Sequence, residues 1–440
     1  MPGVGGGNAD ALSAHTERLG DDRWRSSQLR LGTSVLVRDG RIAWIRPTES
    51  EEDSGDAVVV DAGGTTIVPG LVDCHSHLTL PGGSHWIDRG GDSAAELLRY
   101  AEHNARLQTQ SGVRWARDVG APAGIDPVDG QRRALSIGLR DRWRGRAPYP
   151  HLRVAGTWVT KAGTLPSGLT AEADTAGELL ELALRQLDDG ADFIKLYLDG
   201  PDPDAAPWTV SDVERVVRAA HERGAKVTAH AGRLNGTRVC AEAGVDCIEH
   251  GFEIDEESAQ LMAEKQVALV STLAVLKSWM SFGQTTTIER FTSKGGRDAI
   301  ARRWEEALRS IRFAHAAGVM MGAGTDFGGG SARANQMAWE VEALVEAGLE
   351  PWEALAAATW KAGQILDEPD VGQLRGGWAC GLLPRPWRPS FRSVGTVAGL
   401  ADRLGRLLKL NAPTRGRAAR AALGVFLGLC ARSRAGSCFC

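Results

Sequence analysis

The chain has 440 residues, too many for one small domain and enough for a barrel with a smaller companion. Apolar residues are 43% and charged residues 24%, which excludes collagen-like, wholly disordered and multi-span membrane chains. Lys+Arg 51 against Asp+Glu 55 gives a net charge of -4, which argues against a nucleic-acid partner, and no apolar run reaches the roughly 18 residues of a membrane span.

Residues 1–26 are Gly-rich and then polar, and read as a loose tail. They lack the charged-then-apolar build of a secretory signal, so the expected compartment is the cytoplasm. Residues 27–70 are all-β in character. Ser34 to Val37 and Arg41 to Ile45 alternate around Arg38-Asp39-Gly40, a hairpin signal, and Ala57 to Val60 is a further β run.

From Leu71 short β-branched runs alternate with amphipathic helical stretches. The strand windows are Leu71–Val72, Val113–Val119, Leu152–Thr157, Asp192–Leu198, Ala225–Ala229, Asp246–Glu249, Val267–Thr272 and Gly318–Ala323. Helices are expected over Asp174–Asp189, Val210–Arg223, Asn235–Ala243, Arg297–Ala317, Ala334–Ala347 and Pro351–Ala362. Eight such units predict an α/β chain with a (β/α)8 TIM barrel over residues 71–366. Ser281 to Lys294 is polar and Thr-rich, and reads as a loop after the seventh strand. Pro81–Gly90 and Ser281–Gly296 are candidate determinants of specificity.

Active sites of such barrels form at the carboxyl ends of the strands. The first strand leads into Asp73-Cys74-His75-Ser76-His77, and a spacing of two puts both imidazoles on one face of an extended chain. The fourth carries Lys195 between apolar neighbours and continues into Tyr197. The fifth runs into His230, the sixth into His250, and the eighth into Asp326. Each residue alone has a bland explanation: surface imidazoles, a snorkelling lysine, a helix cap. Six together at the ends of one barrel do not.

VPGLVDCHSH, FIKLYLDG, VTAHAG, IEHG and GAGTDFGGG resemble the amidohydrolase superfamily, in its imidazolonepropionase-like and Xaa-Pro-dipeptidase-like branch, over about residues 30–372. The resemblance implies two divalent metal ions, expected to be zinc. His75, His77 and Asp326 would hold the first, His230 and His250 the second, and Lys195 would bridge them as a CO2-derived carbamate. It further implies a metal-bridging hydroxide, with Asp326 as proton shuttle and His250 and Tyr197 assisting. Tyr197 and Arg233 would contact the substrate. The mononuclear deaminases of the superfamily lack the lysine and carry a Glu soon after the fifth-strand His; here Ala231-Gly232-Arg233-Leu234 follow His230. The expected function is therefore hydrolysis of an amide-type C–N bond in a dipeptide or N-acyl amino acid. A carbamate, urea or cyclic amide is the alternative substrate, and a non-catalytic barrel scaffold the alternative of another class. A small-molecule substrate, no nucleic acid, no membrane and a homo-oligomer complete the expectation.

Residues 367–440 depart from the family. Relatives return there to finish a β-sandwich begun by the amino-terminal strands. Here residues 373–440 hold 11 Arg, one Lys and one acid, and four of the seven cysteines lie in the last 61 residues. The cysteine spacing fits neither a zinc finger nor a disulfide framework. With suitable synonymous codons, deleting one base after the Arg375 codon yields Glu-Val-Gly-Leu-Ala-Asp-Phe-Phe-Leu-Val-His-Gly-Asp-Pro, the text the family leads one to expect. The tail therefore reads as an out-of-frame product.

Overall fold

A computed structural model describes residues 31–38, 41–50, 57, 59, 66–146, 148–330 and 334–375. The expected tails, 1–26 and the stretch beyond Arg375, lie outside the described residues, as does most of the Ala57–Val60 run. The described residues divide into two compact units, one holding the amino-terminal hairpin and the other residues 66–372. In the first, β1 (Thr33–Arg38) pairs antiparallel with β2 (Arg41–Pro47), with a bulge at Leu36/Val37. They form a two-stranded sheet among the described residues.

The second unit is the (β/α)8 barrel. Its strands are β3 (Leu71–Ser76), β4 (Val113–Asp118), β7 (His151–Val154) with β8 (Val159–Lys161), β10 (Ile194–Tyr197), β11 (Val227–Ala231), β12 (Cys247–His250), β13 (Ala268–Ser271) and β14 (Met321–Ala323), while β5 (Ala123–Ile125) and β6 (Arg132–Ala134) pair with each other and β9 (Ala171–Ala173) pairs with β8. All eight windows read from the sequence overlap a barrel strand. β3, β4 and β7 form one parallel group. β14, β13, β12, β11, β10 and β8 form another. Gly156, at φ +77°, lies where the third barrel strand splits, so that β7 pairs with β4 and β8 with β10. Backbone bonds close the ring. Asp192 N donates to Val154 O at 2.8 Å, and His77 N donates to Phe327 O at 2.9 Å across the first and last strands.

Strands buried on both faces need apolar runs, and Ile194, Leu196, Val227, Ala229, Ile248 and Leu269 are fully enclosed. Helices on the outside start where the sequence supplies caps. Thr175 and Glu178 form a capping box ahead of Ala176–Asp188, and Thr209 and Asp212 do the same ahead of Val210–Glu222. No helix among the described residues is long and apolar enough to cross a membrane.

The sequence misled in three places. The segment after β13 is a helix, Leu273–Phe282, and the expected Ser281–Lys294 loop includes a further short helix, Glu289–Thr292. Phe282, Phe291 and Ile300 pack together there, so a Thr-rich stretch is anchored by its few apolar residues. The expected Pro351–Ala362 helix is two, Pro351–Ala357 and Trp360–Ile365. Thr359 leaves helical dihedrals and turns its hydroxyl back to Leu355 O at 2.7 Å. Finally, Ala123–Ile125 and Arg132–Ala134 form a small hairpin with no strong alternation to announce it.

Leu179 is fully enclosed on the Ala176–Asp188 helix. Leu179→Ala should lower unfolding free energy by roughly 2–5 kcal/mol, and Thr175→Ala by only about 1 kcal/mol. Urea denaturation of the two variants checks the ranking.

Candidate metal centre

At the carboxyl end of β3, His75 and His77 straddle Ser76. The Nδ1 of His77 lies 2.8 Å from Gly120 O, and the Nδ1 of His75 lies 2.7 Å from Glu249 Oε2. Both rings are pinned on one nitrogen, which leaves each Nε2 for another partner. Each Nε2 turns to Asp326 Oδ1, at 3.4 Å from His75 and 3.3 Å from His77. Asp326 is held there by its own N–H, which donates to His75 O at 2.8 Å.

The other imidazoles close over the same point. His250 has its Nδ1 2.8 Å from Thr272 Oγ1, and its ring centroid is 4.6 Å from that of His75. His230 has its Nε2 3.0 Å from Asp199 Oδ2, which frees Nδ1, and its ring lies 4.4 Å from that of His250. Tyr197 stacks on His230 at 3.7 Å. Lys195 is 1% exposed and makes no ion pair among the described residues.

Backbone strain and close packing mark the same place. His250 and Asp326 have φ of +75° and +48°, a region that costs energy without glycine. The glycines around Asp326 are required by the histidines. A Cβ on Gly324 would sit 2.4 Å from His75 Cβ, and one on Gly328 1.9 Å from His77 O.

The electrostatics favour metal-binding protonation states. Burial lowers the pKa of His77, His230 and His250, which keeps their lone pairs available. Burial would raise Asp326, but His75 and His77 outweigh it and hold the carboxyl well below the usual range. Burial lowers Lys195 to about 8, against the opposing pull of Glu249 and Asp326. For Tyr197, burial and Asp199 both raise the pKa, so its hydroxyl stays protonated.

The residues fit divalent cations on a direct observation. His75 Nε2 is buried without a hydrogen-bond partner, and ligand atoms of His75, His250 and Asp326 lie within 4.8 Å of one another. Nitrogen and carboxylate donors suit zinc. This grouping takes members from both ligand sets expected from the sequence. Arg233 is placed differently from the rest: its guanidinium donates to Pro203 O at 2.8 Å.

Sequence reasoning missed the residues that hold the histidines. Glu249 accepts from Arg117 at 2.5 Å and from Thr228, and Asp199 also accepts from Gly232 N at 2.9 Å. Burial would raise Glu249, but Arg117 and Lys195 keep it ionised. An available signal was position: Glu249 adjoins His250, and Asp199 closes the strand-four motif.

A family model described as the amidohydrolase family matches residues 66–381. Imidazolonepropionase of Anaeromyxobacter sp. (strain K) is 29% identical over 392 residues, covering 80% of this chain and 85% of the relative. Ochratoxinase of Aspergillus niger is 26% identical over 353 residues, covering 72% and 69%. A solved Xaa-Pro dipeptidase with methionine bound in its active site superposes with a TM-score of 0.64 at 23% identity, covering 80% of this chain and 88% of that one. With the family match spanning most of the barrel and its site, the chain belongs to the amidohydrolase family and is a hydrolase of carbon–nitrogen bonds.

Proposed function

We propose that the protein hydrolyses the amide bond of a dipeptide or N-acyl amino acid at a binuclear site. His75, His77 and Asp326 would hold one ion and His230 and His250 the other, with Lys195, carboxylated by CO2, as the anionic ligand they share. The observation that carries this reading is the unpartnered, buried Nε2 of His75 beside Asp326. When bound, the ions supply Lewis acidity that makes hydroxide available near neutral pH and polarises a carbonyl.

The chain's own groups do the rest. Asp326 is ionised at the centre, so it takes the proton of the attacking water and delivers it to the leaving amine. Tyr197 keeps its proton and can donate a hydrogen bond to the developing oxyanion. His250, neutral and pinned by Thr272, contributes a ligand lone pair and a fixed ring edge. The Lys195 amine is fully enclosed with no ion pair among the described residues, and burial lowers its pKa to about 8, which raises the share of neutral amine. That form adds to CO2, gives up a proton and becomes an anion, removing a cation from a site meant for cations.

We also propose that residues 27–70 supply sandwich strands whose natural partners were lost when the reading frame changed near Arg375. Unpaired strand edges favour aggregation. Sequencing the gene across that codon should find one surplus base; an unbroken frame overturns the idea.

Two experiments test the site. Zinc-reconstituted protein should hold about two ions per chain, and Asp326→Asn should cut kcat on N-acyl amino acids by at least about 100-fold. A metal-free protein, or full turnover by the variant, would refute the mechanism. Labelled bicarbonate should give a protein carbamate signal in 13C NMR that disappears, with loss of bound metal, in Lys195→Ala.

A further inference from the structure

Two arginines near the metal centre form no salt bridge among the described residues. Arg290, at the Glu289–Thr292 helix, lies with its guanidinium carbon 4.1 Å from the centre of the Trp279 ring and 5.4 Å from that of Phe291. Trp279 is itself tied to the site. Its Nε1 donates to Gly330 O at 3.1 Å, and a Cβ on Gly330 would lie 3.1 Å from Asp326 Oδ2. Arg303, on the helix Lys294–Ala316, sits 5.4 Å over the Phe252 ring, whose centroid is 5.4 Å from that of His250. Its Nη2 donates to the carbonyl of Gly232, two residues past His230, at 3.3 Å.

What these side chains lack is informative. The Nε of Arg303 is buried with no hydrogen-bond partner. Neither arginine forms a salt bridge among the described residues, although acids pair with many other basic groups of the barrel. Asp199 acts on Arg303 electrostatically, but its oxygens already accept from His230, Gly232 and the backbone of Arg233. Desolvation and the like charge of Arg303 both lower the pKa of Arg290, while the Tyr197 side chain opposes them. The two cations and that tyrosine therefore share one neighbourhood. A guanidinium offers five N–H donors in a planar fork, and a fork with donors left over matches the two oxygens of a carboxylate.

We infer that Arg290 and Arg303 receive a free carboxylate on the substrate. The favoured class is then an anionic N-acyl amino acid or dipeptide, and neutral ureas and carbamates lack the group these arginines bind. This rests on the amide-hydrolase reading above and narrows it. Arg233, which the motif pattern put forward for this task, is engaged with Pro203 O instead.

Binding can be read without turnover. The probe is 4-oxo-4-phenylbutanoate, an isostere of N-benzoylglycine with CH2 in place of the amide NH, compared with its neutral carboxamide. Each is titrated calorimetrically into the zinc-reconstituted full chain, wild type, Arg290→Gln and Arg303→Gln. The acid should bind about tenfold or more tightly than the carboxamide. Each substitution should remove most of that preference while leaving zinc content and carboxamide affinity unchanged. Equal affinity for the two probes, a preference that survives both substitutions, or no binding of either overturns the inference. If the preference holds and no amide in a substrate panel is cleaved, the carboxylate site stands and the hydrolytic reading falls.

Discussion

The seam between the first and eighth barrel strands is the constraint on which the site depends. Asp73 Oδ1 accepts from Thr325 N at 3.0 Å, and its Oδ2 accepts from Thr325 Oγ1 at 2.7 Å and from Gln108 at 3.2 Å. One carboxylate thus locks together segments 252 residues apart in the chain. The next two positions along each segment are the ones that matter: His75 O receives Asp326 N, and their side chains face one another. Burial raises Asp73 to about 6 despite these bonds. At neutral pH the seam is therefore bonded by a carboxylate whose charged form burial disfavours.

The four histidines are held from behind by four partners of three kinds. A carboxylate faces His75, a backbone carbonyl His77, a second carboxylate His230 and a hydroxyl His250. Each ring meets its outer partner through one nitrogen, so the nitrogen presented to the centre is set by the fold. Arg117 extends this support: it bonds both Glu249 and the carbonyl of Cys74, the residue before His75. The histidines are positioned by a network that reaches from one strand to its neighbours, as preorganised sites require.

Much of this was legible because barrel strands and their polar termini are local in sequence. His75 and His77 share a face by simple periodicity, and the remaining ligands follow apolar strand cores. What was not legible is three-dimensional. Glu249 reads as one more strand residue until His75, 174 positions away, is placed against it. Arg290 and Arg303 look like ordinary charges on helical text; only the flanking aromatic rings and the lack of a salt bridge among the described residues distinguish them. The Thr-rich segment after the seventh strand hid its order because the packing of Phe282 on Phe291 has no periodic trace.

The glycines beside Asp326 have a consequence for how such an enzyme can diversify. Gly324 and Gly328 are pressed against His75 and His77, and Gly329 against His77 and Asp326, so even a methyl group collides there. That stretch of backbone has no room to vary. New substrate preferences must arise in side chains that neighbouring segments bring to it, such as Trp279 and Arg290 after the seventh strand, and laboratory evolution aimed at altered selectivity should concentrate its libraries there.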